Sequence, residues 1–504
     1  MSWSVVTGTT RSTGFRAVPT RLALLAVGTA VVLFRLVYLA DPVRRDEAGY
    51  LLVARGWTLG GPNLYGHYFV DRPPGLIGLY KVASVVPWTG FVRILSMVFA
   101  LMLVAGAAWG AHLIAGPAGA RWAALAAGAC VSTPAMAAEV ANAEIFAAPF
   151  VMLSVALTLS AVRCTGRPSL LLAAAAGLTA ACAVAVKQNF VDGFVFAAVL
   201  LLSSVVQGHM SRVVALRLLL AGASGAAVVF LAAVGYALRA GVGIHGLWFT
   251  LFGIRGLLLQ VFAHAEVGSL ARGVASLFAW AVLSGLLACV GVLVCSAARS
   301  GWTGGPVAWA TGATLTCELV AILGGGGFSA HYFVQAVPMM ALAIGAWARH
   351  SRGLRSVAVF MAVSAVLVLA VVRVTGLDDV GNGERVGAWL QASARPGDTL
   401  TVMYENTQLQ LASGMDSPYQ QLWILPARAM DPRLADLRRV LDGPRAPVWV
   451  VYWRDAHVWS ADARQQLILR LRTDYHRVAR VCGHGVWLHD GQPRRLAPLP
   501  RCGG

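Results

Sequence analysis

The stretch LALLAVGTAVVLFRLVYLADPVRRDEAGY, Leu22 to Tyr50, decides how this chain is read. Residues 22–40 are almost wholly apolar, and at about 1.5 Å per residue such a run approaches a ~30 Å hydrocarbon layer. The run ends in a proline and two arginines, and then sets two acids side by side, Asp46 and Glu47. A helix that leaves a membrane and at once presents adjacent carboxylates asks what those carboxylates do.

The rest of the 504 residues fits a membrane setting. Hydrophobic residues make up 58% and charged residues only 12%, and mean hydropathy is +0.68. Charges are about half as frequent as in soluble domains. Apolar spans recur at about 21–40, 91–114, 120–138, 145–162, 169–187, 192–207, 212–238, 273–296, 303–323, 331–347 and 355–373. The chain is therefore read as mainly α and polytopic, with about eleven transmembrane helices. The first run follows Arg11, Arg16 and Arg21 and has no small-residue cleavage site, so it reads as a retained span. PPGLIGLYKVASVVPW, Pro73 to Trp88, is short and opens on two prolines, which suits a helix lying at the membrane surface.

The net charge of +18 suggests nucleic acid in a soluble protein. Here the arginines sit in loops that set topology, and no nucleic-acid-binding motif is present. With the N-terminus in the cytoplasm, the inner turns hold Arg121, Arg163, Arg167, Arg212, Arg299, Arg349, Arg352 and Arg355 and no acid. The acids before residue 374 fall on or near the opposite face: Asp41, Asp46, Glu47, Asp71, Glu139, Glu144, Asp192, Glu266 and Glu318. Acids hardly affect topology, so this segregation points to a use for carboxylates outside.

Residues 1–373 thus read as a membrane catalytic domain with a first outer loop at 41–90. Residues 374–504 read as an extracytoplasmic α/β domain. An amphipathic helix, a Pro-Gly-Asp turn and a strand follow Val374, and APVWVVYW and RVARVCGHGVWLHD continue the alternation. Cys482 and Cys502 are placed to pair if this tail lies in an oxidising envelope; the other six cysteines sit in or beside apolar spans as packing residues.

Five outer-face features accompany Asp46 and Glu47. GGPNLYGHYFVDRPPGL reads as an ordered cap and supplies Tyr65, His67, Asp71 and Arg72. EVANAE supplies Glu139, Asn142 and Glu144, and KQN supplies Lys187 and Gln188. GGGGFSAHYFVQAVP places four glycines before His331 and Tyr332. A long apolar outer loop between the seventh and eighth spans carries Arg255, His264, Glu266 and Arg272, as an amphipathic surface helix would. Each has a plain alternative: a solvated loop end, a snorkelling lysine, a satisfied core histidine. Together they place carboxylates, cations and aromatics at one depth. A general base needs a carboxylate at the acceptor hydroxyl, and a departing phosphate needs fixed cations.

The loop RRDEAGYLLVARGWTLGGPNLYGHYFVDRPPGLIGLYKV resembles the first outer loop of the GT-C glycosyltransferases, nearest in pattern to the lipid A aminoarabinose transferases and the wider protein-O-mannosyltransferase-like superfamily. The acid pair is Asp46-Glu47, the aromatic Tyr50, the glycine-tyrosine stretch Gly60-Gly61 with Tyr65, and the K-P-P position Arg72-Pro73-Pro74. Arginine replaces the usual lysine at 72. HYFVQAVP and KQN resemble later motifs of the same enzymes.

The resemblance implies a polyprenyl-phosphate sugar donor and a single inverting displacement onto a glycan, glycolipid or protein acceptor. It carries Asp46 over as the base, with Glu47 orienting it or holding a cation. Lys187, Arg72, Arg255, Arg272 and His331 would meet the donor phosphate. Tyr50, Tyr65, His67, Asp71, Glu139, Asn142, Glu144, Gln188 and Tyr332 would line the sugar or acceptor pocket. Some members hold a divalent metal at such acids and others do not; Asp46 and Glu139 are the positions offered here, and no cofactor is named. The competing class is a transporter or flippase of lipid-linked saccharides, whose mark is mid-membrane charge and inverted repeats. Arg35 is almost the only mid-span charge and no repeat is found.

Overall fold

The computed structural model describes residues 19–263, 267–299, 303–324, 328–376, 381–403, 406–453 and 459–502. It is mainly helical, a bundle of long apolar helices capped at one end by a small α/β domain. Among the described residues seven helices are long and apolar enough to cross a membrane, or eight if the bent pair Ala271–Leu283 and Leu286–Arg299 is one span. The expected eleven is not reached on that criterion. Thr20–Leu36 has 17 residues, Asp192–Val206 has 15 and Val337–Trp347 has 11. Phe91–Cys130 carries two expected spans as one helix, kinked at Gly116, whose φ of 65° precedes Pro117. The expected span 273–296 is two helices bent by 72°.

The loop between the seventh and eighth expected spans folds as a continuous apolar helix, Gly243–Phe262, with a π-helical turn at Phe249–Gly253. Ile254 and Leu258 on it are buried against Leu425, Ala429 and Met430 of the C-terminal domain, so it lies at the domain end of the bundle. His264, Glu266 and Gly325 to Gly327 lie outside the described residues.

Two helices set the site. The acid pair opens Arg45–Arg55, where Glu47 Oε2 accepts the Arg44 backbone N–H at 2.6 Å, and both acids sit in the first turn, at the positive end of the helix dipole. Pro74 starts Pro74–Ala83, since a missing N–H costs nothing there. Its 10 residues span about 15 Å, too short to cross a bilayer.

The C-terminal domain follows the alternation read from its sequence. Helix Gly381–Ser393 leads to β1 (Leu400–Met403), then come β2 (Trp449–Tyr452), helix Ala461–Asp474, β3 (Tyr475–Val481) and β4 (His484–His489). The sheet order is β1-β2-β4-β3, with β1 and β2 parallel and the other pairs antiparallel. Asp398, ahead of β1, accepts from Arg494 at 2.6 Å and from Trp449 Nε1 at 2.9 Å. Burial alone raises a carboxyl; these donors overcome it and hold Asp398 at about 2. Cys482 and Cys502 are disulfide-bonded, their Cα atoms 5.3 Å apart.

Candidate active site

The loop between the first helix and Pro74–Ala83 is held between the bundle and the C-terminal domain. Phe69 donates its backbone N–H to the Gln420 carbonyl at 3.0 Å, His67 Nε2 meets the Ser417 carbonyl at 2.9 Å, and Ser417 N–H donates to Tyr68 Oη at 2.9 Å. The cap expected from its glycines and aromatics is therefore ordered, and the other domain orders it.

The two adjacent acids face different ways. Glu47 is fully buried and accepts from Arg93 at 2.9 and 3.1 Å, from Ala141 N–H at 2.9 Å and from Arg44 N–H. Burial pushes its carboxyl upward; Arg93 and the two backbone donors outweigh that and bring it below the usual carboxylate range. Arg93 also donates to the carbonyls of Tyr38, Asp41 and Pro42 at 2.5, 2.9 and 2.8 Å, so this pair fixes the chain's exit from the first helix. Asp46 is half-buried. Its Oδ1 accepts from Trp423 Nε1 of the C-terminal domain at 3.0 Å, and among the described residues its Oδ2 is not hydrogen-bonded.

Around Asp46 the charges form two short chains. In the first, Asp71 bridges Arg72, at 2.7 Å, and Arg255, at 2.8 Å, while Arg72 Nε donates to Tyr50 Oη at 3.0 Å. Tyr65 Oη donates to the Arg72 carbonyl at 2.5 Å, and Gln188 Nε2 donates to the carbonyls of Asp71 and Leu251 at 3.1 and 3.2 Å. In the second, Glu144 is paired with Lys187 and lies 3.6 Å from His331 Nε2, with the Lys187 ammonium 4.6 Å from the centre of the Tyr332 ring. The chains are electrostatic neighbours: Lys187 feels Arg72 and Arg255, and Arg72 feels Asp46 and Tyr332. Asp46, Tyr50, Asp71, Arg72, Glu144, Lys187, Gln188, Arg255, His331 and Tyr332 thus gather in one place.

The remaining expected residues do other things. Asn142 caps helix Ala143–Ala161, accepting from Ile145 N–H at 3.1 Å. Tyr65 is buried behind Arg72, and His67 faces Ser417. Glu139 lies near the Arg35 and Arg93 guanidiniums. Arg272 is exposed and takes part in none of these bonds. No group of three or more His, Cys, Asp or Glu able to hold a metal occurs among the described residues.

An apolar cavity of about 470 Å³ is lined by Ser154, Thr158, Gly177, Phe194, Leu218 and Phe230 among others. Its walls include the helices that carry Glu144 and Lys187 at their ends.

Sequence reasoning missed Arg93 and Trp423. Arg93 had a faint signal, an arginine at the start of an apolar run on the face otherwise held by acids. Trp423 had none, because nothing local ties residue 423 to residue 46.

This bundle, with its ordered first loop and its C-terminal cap, has the fold of the GT-C membrane glycosyltransferases. No family model matches the chain, and no curated relative is similar in sequence. Among solved structures it is similar to ArnT from Cupriavidus metallidurans bound to undecaprenyl phosphate, at TM-score 0.61 and 15% identity, over 93% of this chain and 98% of that one. It is also similar to the oligosaccharyltransferase AglB from Archaeoglobus fulgidus, solved with an inhibitory peptide and a dolichol-phosphate, at TM-score 0.55 and 11% identity, over 86% of this chain and 69% of that one. At such identities the likeness is one of fold.

Proposed function

We propose that this protein transfers a sugar from a polyprenyl-phosphate donor to a glycan, glycolipid or protein acceptor of the cell envelope, at the outer face of the plasma membrane. The observation that carries the reading is a half-buried carboxylate with one oxygen available, Asp46, an electrostatic neighbour of Arg72, which in turn neighbours Lys187 and shares Asp71 with Arg255, at one end of a GT-C bundle. The acceptor's hydroxyl oxygen bonds to the anomeric carbon while the bond from that carbon to the phosphate oxygen breaks. The bonding pair leaves with the polyprenyl phosphate, and the hydroxyl proton goes to Asp46. One displacement inverts the anomeric centre. The cations take up charge as it develops on the leaving phosphate. Glu47, engaged on all sides, positions this helix and does not touch substrate.

Three further features support the reading. The apolar cavity suits a lipid tail, and two of the helices that wall it carry Glu144 and Lys187 at their ends. The Cys482–Cys502 bond fits an oxidising compartment for the C-terminal domain. Basic loops at the opposite end fit a cytoplasmic N-terminus.

The test is transfer in detergent, where no second compartment exists and a transporter would yield no product. Asp46→Asn should fold normally and lose about 10²–10⁴-fold in rate, the usual worth of a general base. A folded Asp46→Asn protein with full activity removes Asp46 from the role, and absence of transfer by the unmodified protein across polyprenyl-phosphate sugars removes the enzyme reading.

A further inference from the structure

The C-terminal domain does more than cover the site; it grips the segment that carries the acid pair. Thr407 donates its hydroxyl to the Arg45 carbonyl, and Gln408 Nε2 donates to the Val43 carbonyl at 2.7 Å. Trp423 reaches the side chain itself, its Nε1 lying 3.0 Å from Asp46 Oδ1. The indole also packs on Tyr50, with ring centroids 5.5 Å apart. The helix makes room for it at one residue. A Cβ on Gly49 would lie 2.2 Å from Trp423 Cζ2, so only glycine there lets the indole reach Asp46.

We propose that Trp423 is a positioning residue for Asp46, and that through it the C-terminal domain is an integral part of the active site. This rests on Asp46 being the base. An indole offers one donor and no acceptor, so it fills a lone pair on Oδ1 and turns Oδ2 toward the acceptor hydroxyl. It also holds the carboxylate in one rotamer. A base held in that way transfers the proton only in the productive geometry, which affects the chemical step more than donor binding.

The experiment replaces single atoms in the full-length protein. Trp423→3-benzothienylalanine keeps the shape of the ring and puts sulfur in place of the N–H. It should lower kcat about tenfold or more, the worth of a hydrogen bond to a charged group, with the donor's KM unchanged. Trp423→7-azatryptophan keeps the N–H and should restore the rate. Trp423→Phe removes the donor by an ordinary substitution, and its kcat should fall likewise while the protein remains monodisperse. A benzothienyl variant with unaltered kcat overturns the proposal. So does one that changes only KM or thermal stability, since that assigns Trp423 to packing. Asp46→Asn separates the two levels. If it is active, the role of Asp46 fails; if it is inactive while the benzothienyl variant is normal, only the role of Trp423 fails.

Discussion

Two carboxylate–guanidinium pairs sit at the same end of the bundle and are built in opposite ways. Glu47 and Arg93 are 0% and 5% exposed, and each is bonded further to backbone around it. Asp71 and Arg255 are 12% and 43% exposed, and the Arg255 guanidinium opens to one side. A buried pair with every donor and acceptor used is committed to holding the chain. A pair with part of its guanidinium open still has hydrogen-bond capacity for a ligand. Adjacent acids in the sequence also differ in this way: Glu47 is fully bonded into the frame, while Asp46 is half-buried and bonded through Oδ1 to Trp423.

The sharpest way to break this contrast is to remove the frame. Glu47→Ala leaves Arg93 buried with its carbonyl contacts alone and should cost about 3–5 kcal/mol of unfolding free energy. Denaturation in detergent measures it. A loss below about 1 kcal/mol would show that the pair is not the anchor its geometry implies. Glu47→Gln keeps the acceptor for Ala141 N–H and should fall between the two.

Lys187 with Glu144 tests the boundary between the classes. The pair is buried, like Glu47 with Arg93, yet it lies against His331 and Tyr332 among the gathered charges. If it serves the donor phosphate, Lys187→Ala should raise the donor's KM about tenfold, by loss of one charge-assisted contact. Lys187→Arg should recover part of that. Unaltered KM with a large loss of stability would move Lys187 into the frame beside Arg93.

How far the sequence disclosed this arrangement depends on the range of the interactions. The membrane class and the C-terminal strands follow from local hydropathy and alternation, and both are legible. Span counting fails where physics couples neighbours. A kinked helix at Gly116–Pro117 joins two runs, and the run at 273–296 is bent because its helices end at Leu283 and restart at Leu286. The site was legible as a set of acids and cations on one face, since each announces itself by being charged in an apolar chain. Which acid points where was not. Glu47 turns inward because Arg93, 46 residues away, and Ala141, 94 residues away, claim it, and Asp46 is met by a tryptophan 377 residues on. Glu318 is a further case. It reads as an acid near the outer edge, yet it is fully buried in helix Pro306–Gly324, an electrostatic neighbour of Asp192.

The smallest expected effect is on the open side of the comparison. Arg255→Ala removes a guanidinium that is nearly half exposed, so its pair with Asp71 contributes at most about 0.2–1 kcal/mol to stability. Unfolding of the variant should therefore be close to that of the parent, unlike Glu47→Ala. If the exposed part of Arg255 meets the donor phosphate, the donor's KM should nonetheless rise several-fold. That rise should shrink as salt is added, because a contact reached through water is screened over about 8 Å at physiological ionic strength. Asp71 would then keep only Arg72, and kcat should fall as well, by less than in Asp46→Asn, because one of the cations that take up charge on the leaving phosphate is gone. A stability loss comparable to that of Glu47→Ala would mean that both pairs belong to the frame, and would leave Lys187 and Arg72 as the cations facing the leaving group.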